Sequence, residues 1–213
     1  MKIVTSILIL MTIISCNSQI KVKQNKKMKT FDIEAFEKNK NTLNEYFFTT
    51  EDGTLVKQYG GEEYYETIKP KDSLFEMYYE YYKNGNLKRE LKSFPNDFVI
   101  GRIKEYDEQG NLIKEEDLDK SFSFSWEDIK KYLKAHDVKN IKEDVINISR
   151  WSDEEETIWT LEFNGKHKDR KGRFVITLDG KTGEELEVKL FKGKKAIGED
   201  GTGSDYEIIL KKK

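Results

Sequence analysis

Two similar stretches of sequence lie in the middle of the chain. Residues 80–90 read EYYKNGNLKRE and residues 105–115 read EYDEQGNLIKE, and six of the eleven positions are identical. Because chance would match about one position in eleven, the two stretches are copies of one unit. Each copy has a glycine, Gly85 or Gly110, between two strand-forming runs, which predicts a β-hairpin with a turn at each glycine. Asn84-Gly85 is typical of a two-residue type I′ turn, in which both residues have positive φ.

Turn-forming residues continue this pattern on both sides of the repeat. From residue 44 to 120 they recur every 8 to 14 residues, at positions 52–53, 60–61, 70–72, 84–85, 95–97 and 109–110. The runs between them are rich in Tyr, Phe, Val and Ile, which suit a pleated sheet. Consecutive strands joined by such short turns must be antiparallel. The sequence therefore predicts an antiparallel meander of six or seven strands, with residues 52–55 as a decayed copy of the repeat.

The repeated order of tyrosine, turn glycine, leucine and glutamate resembles the variant MORN repeat of bacterial proteins. The resemblance covers residues 44–118, and the two copies described above are its clear units. It implies a β-meander. Many carriers of this repeat are described as antitoxins of the YwqK type, so the resemblance also implies that the chain binds a protein partner such as a toxin or effector.

Tyrosine is concentrated in the first strands of the predicted meander, where seven of the eleven tyrosines lie between residues 59 and 82. Because side chains alternate along a strand, adjacent tyrosines point to opposite faces of the sheet. One interpretation is cross-strand packing. The other is an exposed aromatic surface for a protein or glycan partner, since tyrosine supplies contact area at low entropic cost. The candidate contacts for such a partner are Tyr64, Tyr65, Tyr79 and Tyr82.

The first sixteen residues resemble the leader of a bacterial lipoprotein. Lys2 precedes an apolar run of about a dozen residues, too short to span a bilayer as a helix, and residues 13–16 read IISC, like a lipobox. The resemblance implies a signal peptide of residues 1–15 and lipidation at Cys16, which would anchor the protein to a membrane of the cell envelope. The alternative is an ordinary secretion signal. Residues 16–30 are predicted to form a basic tether without acidic residues. Surface-exported lipoproteins often have acidic residues after the lipidated cysteine, so the resemblance, with Asn17, Ser18 and Gln19 at those positions, favours the periplasmic face over the cell surface.

A helix and a second sheet are predicted after the meander. Ser125 and Asp128 have the spacing of a capping box, and Trp126, Ile129, Tyr132 and Leu133 share one helical face as far as Ala135. Strands are expected at 143–151, 156–164, 173–179, 184–192 and 205–211. With the turn DGKTGE at 179–184, this order resembles a PepSY domain over residues 125–190. That resemblance implies the binding or restraint of extracytoplasmic proteins.

A short amphipathic helix is predicted before the meander. Ile33, Phe36 and Leu43 have helical spacing, and Phe31 and Phe36 are placed as a hydrophobic staple around residue 32.

Composition and motifs exclude several classes of protein. With 38 Lys+Arg against 40 Asp+Glu, the chain has no basic excess for nucleic-acid binding. One cysteine and two histidines cannot form an ordinary structural zinc site or a disulfide framework. His136 follows the predicted helix and His167 lies in a basic turn. Neither has a nucleophile or metal-ligand partner at a recognisable spacing, so both are interpreted as structural or solvated.

Residues 193–204 are glycine-rich and are predicted to form a mobile loop. Within this loop, Glu199 and Asp200 are candidate contacts to a partner or to calcium, although the bidentate glutamate of a calcium loop is absent.

Together these patterns predict an α+β fold. Residues 31–120 are expected to form a short helix and the meander, and residues 121–213 a helix packed on a second antiparallel sheet. No catalytic residue, metal or cofactor is predicted. We expect a non-catalytic, membrane-anchored lipoprotein that binds a protein partner, as an immunity or antitoxin-like protein does. The alternative is a structural or glycan-binding envelope lipoprotein.

Overall fold

The computed structural model describes residues 28–95, 97–197 and 201–212. Cys16, the leader and the first part of the basic tether lie outside the described residues, as do Glu199 and Asp200. Within the described residues the chain forms two antiparallel sheets with few helices, which is the predicted α+β class with a strong majority of strand. None of the described helices has the length and apolar character needed to cross a membrane.

The first sheet is a meander of seven strands in chain order. Each strand pairs antiparallel with the next, which confirms the predicted topology. The strands are β1 (Glu45–Thr49), β2 (Leu55–Gly60), β3 (Tyr64–Lys69), β4 (Glu76–Tyr81), β5 (Leu87–Phe94), β6 (Phe98–Tyr106) and β7 (Leu112–Asp117).

The repeated glycines close the hairpin turns of this meander. Gly85 and Gly110 have φ of 83° and 86°, and Gly53 in the proposed decayed copy has φ of 83°. In all three turns the glycine N–H donates at 2.9 Å to the carbonyl three residues earlier. The three turns therefore share one geometry, as expected for copies of one hairpin.

The type I′ turn predicted at Asn84-Gly85 is wrong, because Asn84 does not have positive φ. The turn is instead a type I turn that ends in a left-handed glycine, a common three-residue hairpin loop. The side-chain oxygen of Asn84 accepts a hydrogen bond from the N–H of Asn86 at 2.9 Å. This bond lies within the turn, where only the glycine has positive φ.

The second sheet has five antiparallel strands in the order β12-β11-β10-β9-β8. The strands are β8 (Val145–Ser152), β9 (Thr157–His167), β10 (Arg170–Asp179), β11 (Glu185–Ile197) and β12 (Gly201–Lys211). All five are predicted by the sequence, and β9 to β12 are longer than expected, the last two by the most. Most of the predicted mobile loop at 193–204 is paired strand, with Lys194 opposite Ser204. Backbone pairing extends through the glycines because it does not depend on side-chain pattern.

Three helices accompany the sheets: α1 (Ile33–Asn39), α2 (Trp126–Ala135) and α3 (Ile141–Asp144). Helix α2 begins with the predicted capping box and buries Trp126, Ile129 and Leu133. Helix α1 has the predicted staple, in which the rings of Phe31 and Phe36 lie 5.4 Å apart. The helical placement of Leu43 is wrong. The helix ends at Asn39, and Leu43 is 74% exposed in the following turn.

One hydrophobic core joins the meander to the second sheet. Phe75 and Phe98 of the first part pack in the same cluster as Trp126 and Trp159 of the second. The ring of Phe98 lies edge-on to Trp159 at 5.2 Å, and Phe75 meets Trp126 at 5.3 Å. A smaller cluster lies at the other end of the meander, where α1 packs on it, and contains Phe31, Phe36, Tyr64, Tyr81 and Leu87.

Candidate functional site

The two faces of the meander have different surroundings. The inner face packs against α1 at one end and joins the shared core at the other. The opposite face, here called the outer face, carries a row of large side chains that belong to neither hydrophobic cluster. We define this row as the aromatic stripe, and its members are Phe47, Tyr59, Tyr65, Tyr78 and Leu91.

The aromatic stripe runs diagonally across five strands, from β1 to β5. Phe47 and Tyr59 meet edge to face at 5.3 Å, and Tyr65 lies 6.3 Å from Tyr78 between ring centres. Tyr59 is the register partner of Tyr65. Tyr78 is the register partner of Leu91. Phe47 is 48% exposed and Tyr59 36%, so the stripe presents aromatic surface to solvent.

Paired charges border the stripe. The ammonium of Lys88 lies 2.7 Å from a carboxylate oxygen of Glu63 and 2.9 Å from one of Glu80. Burial raises the pKa of Tyr65, and the carboxylates of Glu63 and Glu80 raise it further. The pKa of Tyr78 is raised by burial and by Glu80. Both phenols are therefore neutral at physiological pH and can donate hydrogen bonds to a partner.

The structure separates the four tyrosines that the sequence had selected as contacts. Tyr64 and Tyr79 lie on the inner face, and Tyr64 is only 5% exposed, stacked on Phe31 at 4.6 Å. Tyr82 begins the turn between β4 and β5, and its hydroxyl donates a hydrogen bond to the backbone carbonyl of Tyr106 at 2.8 Å. Only Tyr65 belongs to the aromatic stripe. The buried position of Tyr64 makes it a core residue rather than a contact surface.

Phe47, Tyr59 and Tyr78 were missed as candidate contacts. Strand alternation places Tyr78 and Tyr79 on opposite faces, but it does not say which face another element covers. The local sequence therefore cannot show that Tyr78, and not Tyr79, lies on the outer face.

The inner face holds a buried carboxylate that ties down the N-terminal segment. Glu66 accepts hydrogen bonds from Gln58 at 2.9 Å and from the hydroxyl of Tyr81 at 3.1 Å, and it pairs with the ammonium of Lys29. Lys29 also lies 3.9 Å above the ring centre of Tyr79. The last residues of the predicted tether are thus docked on the sheet. Three side chains thus share one buried carboxylate, which we interpret as a structural network.

A second group of polar side chains, here called the histidine cluster, joins α2 to the second sheet. His136 is the C-cap residue of α2, His167 ends β9 and Glu185 begins β11. Nε2 of His167 lies 3.1 Å from the nearer Glu185 oxygen, and Nε2 of His136 lies 3.8 Å from the carboxylate. The two imidazoles are nearly parallel, with ring centres 5.5 Å apart.

Tyr132 supports this cluster from one turn earlier on α2. Its hydroxyl donates to Glu185 at 2.6 Å, and its backbone carbonyl lies 2.8 Å from Nδ1 of His136. Burial alone would raise the pKa of Glu185, but hydrogen bonds from Tyr132 and His167 and the nearby imidazoles outweigh it and lower the pKa. Glu185 is therefore an ionised carboxylate at neutral pH.

The residues of the histidine cluster could together hold a metal ion. Among the described residues they form the one group of His, Cys, Asp or Glu side chains close enough to do so, and their ligand atoms all lie within 4.8 Å of one another. Sequence reasoning did not connect them, because each comes from a different element. The one available signal was that they include both histidines of the chain.

Comparison with protein-family models, with curated proteins and with solved structures found no match to this chain. The resemblances to the MORN repeat, the lipobox and the PepSY domain therefore rest on the motifs quoted above.

Proposed function

We propose that this chain is a lipid-anchored envelope protein that binds a protein partner through the outer face of its meander, as an immunity or antitoxin-like protein does. The observation that carries the proposal is the aromatic stripe, a connected row of large side chains outside both hydrophobic clusters. Tyrosine is one of the residues most often found at interface hot spots. In this proposal no side chain has a catalytic role.

The repeat geometry favours the same conclusion. Three hairpins share one glycine turn, which agrees with an array of variant MORN units. Such an array gives a broad sheet whose outer face can be changed without disturbing the turns. We propose that the second sheet with α2 is a PepSY-like module beside this array.

Rigidity of the outer face also favours a binding role. The stripe residues lie on strands, not on loops, and Lys88 on β5 is held by Glu80 on β4 and by Glu63, which directly precedes β3. A surface that is already ordered loses little side-chain entropy on association, which leaves more of the contact energy for affinity.

The test is partner capture followed by an affinity measurement. The full chain, produced in a bacterial envelope, is cross-linked and its partners are identified by mass spectrometry. The affinity of the purified partner is then measured for the wild type and for a Tyr65→Ala/Tyr78→Ala variant. We expect affinity to fall at least about 30-fold, which corresponds to about 2 kcal/mol at a hot spot.

Trp151→Ala is the matched control, because Trp151 is an exposed aromatic residue (57%) on the second sheet. It should bind like the wild type. Circular dichroism shows that each variant is folded. A folded double variant with wild-type affinity would rule out the stripe as the contact. If the stripe instead binds an envelope glycan and no protein, the glycan-binding alternative replaces the proposal.

Membrane anchoring is tested in the same cells with Cys16→Ser. This variant should lose incorporation of labelled palmitate and accumulate as uncleaved precursor. Persistent labelling would show that Cys16 is not the lipidated residue.

A further inference from the structure

We propose that His136, His167 and Glu185 form a binding site for a divalent transition-metal ion of the Zn²⁺ type. The site lies in the second part of the molecule, away from the outer face, and is independent of the proposed function. Two imidazoles and one carboxylate are ligands that Zn²⁺ accepts, and such three-ligand sites leave a fourth position for water. Two imidazoles disfavour Ca²⁺ and Mg²⁺, which prefer oxygen ligands.

The orientation of His136 is the first argument. Its Nδ1 lies 2.8 Å from the carbonyl of Tyr132, which can only accept, so Nδ1 carries the proton. Nε2 is therefore the ring atom of His136 that remains to bind a metal ion, and it lies 3.8 Å from a carboxylate oxygen of Glu185. These two atoms therefore stand on either side of a position where one cation could be bound by both.

The surrounding groups are those that usually orient metal ligands. A ligating histidine normally donates its other N–H to a carbonyl, as His136 does to Tyr132, and a ligating carboxylate normally accepts a further hydrogen bond. Glu185 accepts that bond from the hydroxyl of Tyr132 at 2.6 Å. Tyr132 thus orients two of the three ligands, although it would not touch the ion.

The two nitrogen–oxygen separations in the cluster are close to those of a tetrahedral site. With metal–nitrogen bonds of 2.0–2.1 Å, neighbouring ligand atoms stand about 3.3 Å apart. Nε2 of His167 lies 3.2 Å and Nε2 of His136 lies 3.8 Å from the same oxygen of Glu185, Oε1, and the ligand atoms of the three residues all lie within 4.8 Å of one another. The side chains of Glu185 and His136 are 25% and 15% exposed, so an ion can enter and keep a water ligand.

His167 limits the affinity. Its Nδ1 is buried and has no hydrogen-bond partner among the described residues. Nε2 is therefore the protonated atom in the metal-free cluster, where it donates to Glu185. A metal on Nε2 moves that proton to Nδ1, which leaves a buried N–H without a partner. We expect binding about 10–100-fold weaker than at a site where both imidazoles have such partners.

The experiment uses the untagged full chain with Cys16→Ser in every sample, because a thiolate also binds zinc. Titration calorimetry with Zn²⁺ should show one site per chain, and Ca²⁺ should show none. Glu185→Gln and His136→Asn should each weaken Zn²⁺ binding at least 10-fold. Glu187→Gln, which removes a carboxylate outside the cluster on the same strand, should bind like the parent.

Imidazole ¹⁵N–¹H spectra decide the question even if a variant fails to fold. The chain holds two histidines, so two ring systems are expected in the parent protein. Zn²⁺ should shift both, and His167 should change from the Nε2–H to the Nδ1–H tautomer. Unshifted rings at saturating Zn²⁺, or unchanged affinity in folded Glu185→Gln and His136→Asn, would overturn the proposal and leave a cluster held by hydrogen bonds alone.

Discussion

The turn glycines show how a single residue type permits the meander. At Gly85 and Gly110 the chain has φ above 80°, where an L side chain is strained. A Cβ at Gly85 would also lie 3.2 Å from the carbonyl oxygen of Phe31 and 3.2 Å from the Ile33 side chain. At Gly110 the nearest atoms belong to the flexible end of Met28, which can move aside.

Gly85→Ala and Gly110→Ala should each lower the free energy of unfolding by about 1–2 kcal/mol, from backbone strain alone. The loss should be larger at Gly85, because the Phe31 backbone cannot easily move. Urea denaturation measures both changes. Gly61→Ala is the control, since a Cβ there has no neighbour within 4 Å and φ is not positive. Wild-type stability in both turn variants would contradict the assigned turns.

At the scale of the element, α2 begins where a capping box satisfies its first N–H groups. The N–H of Ser125 donates to Asp128 at 3.1 Å, and the Lys131 ammonium lies 2.9 Å from the same carboxylate. The hydroxyl of Ser125 also donates to this carboxylate and has the largest effect on its pKa. Together these hydrogen bonds lower the pKa of Asp128 to about 2 from its ordinary 3.8.

A lowered pKa in the folded state means that the ionised form of Asp128 stabilises the protein. This contribution is complete above the unfolded pKa near 4 and is lost as pH falls towards 2. The Tm of Asp128→Asn should therefore lie below that of the wild type at neutral pH, and the difference should disappear between about pH 4 and pH 2. Thermal unfolding at a series of pH values measures this.

Glu127→Gln is the control for this prediction, because Glu127 is the adjacent exposed acid and makes no capping bond. Its difference in Tm from the wild type should stay small at every pH. An Asp128→Asn difference that persists at pH 2 would show that the capping charge is not its source.

At the scale of the whole molecule, the shared core joins the two sheets. Phe98 lies in the meander, is 6% exposed, and contacts both Trp126 and Trp159 of the second part. The sequence pattern changes near residue 120, but the hydrophobic core continues from the meander into the second part.

Phe98→Ala should lower the free energy of unfolding by about 3–5 kcal/mol, because it leaves a cavity in the shared core. Unfolding should stay a single transition. All three tryptophans lie in the second part, so their fluorescence follows that sheet, while near-ultraviolet tyrosine signals follow mainly the meander. Phe47→Ala, at a 48% exposed site, should cost much less. Separate transitions for the two signals would contradict a common core.

Features that depend on neighbouring residues could be predicted from the sequence. Strand positions follow from turn residues and from alternation, and the α2 capping box follows from the spacing of Ser125 and Asp128. Two local details could not be predicted in this way. Asn84-Gly85 is compatible with more than one turn type, and the pairing of residues 193–197 with 201–205 depends on backbone bonds that leave no pattern in the side chains.

The sequence by itself determined an antiparallel meander, the start of α2 and a second sheet, because backbone geometry and side-chain alternation act over a few residues. Only the tertiary structure decided which face of the meander is covered, since alternation treats the two faces alike. This is why Tyr65 and Tyr78 lie on the outer face while Tyr64 is core. The same holds for His136, His167 and Glu185: they are distant in the chain, and packing of α2 on the second sheet brings them together.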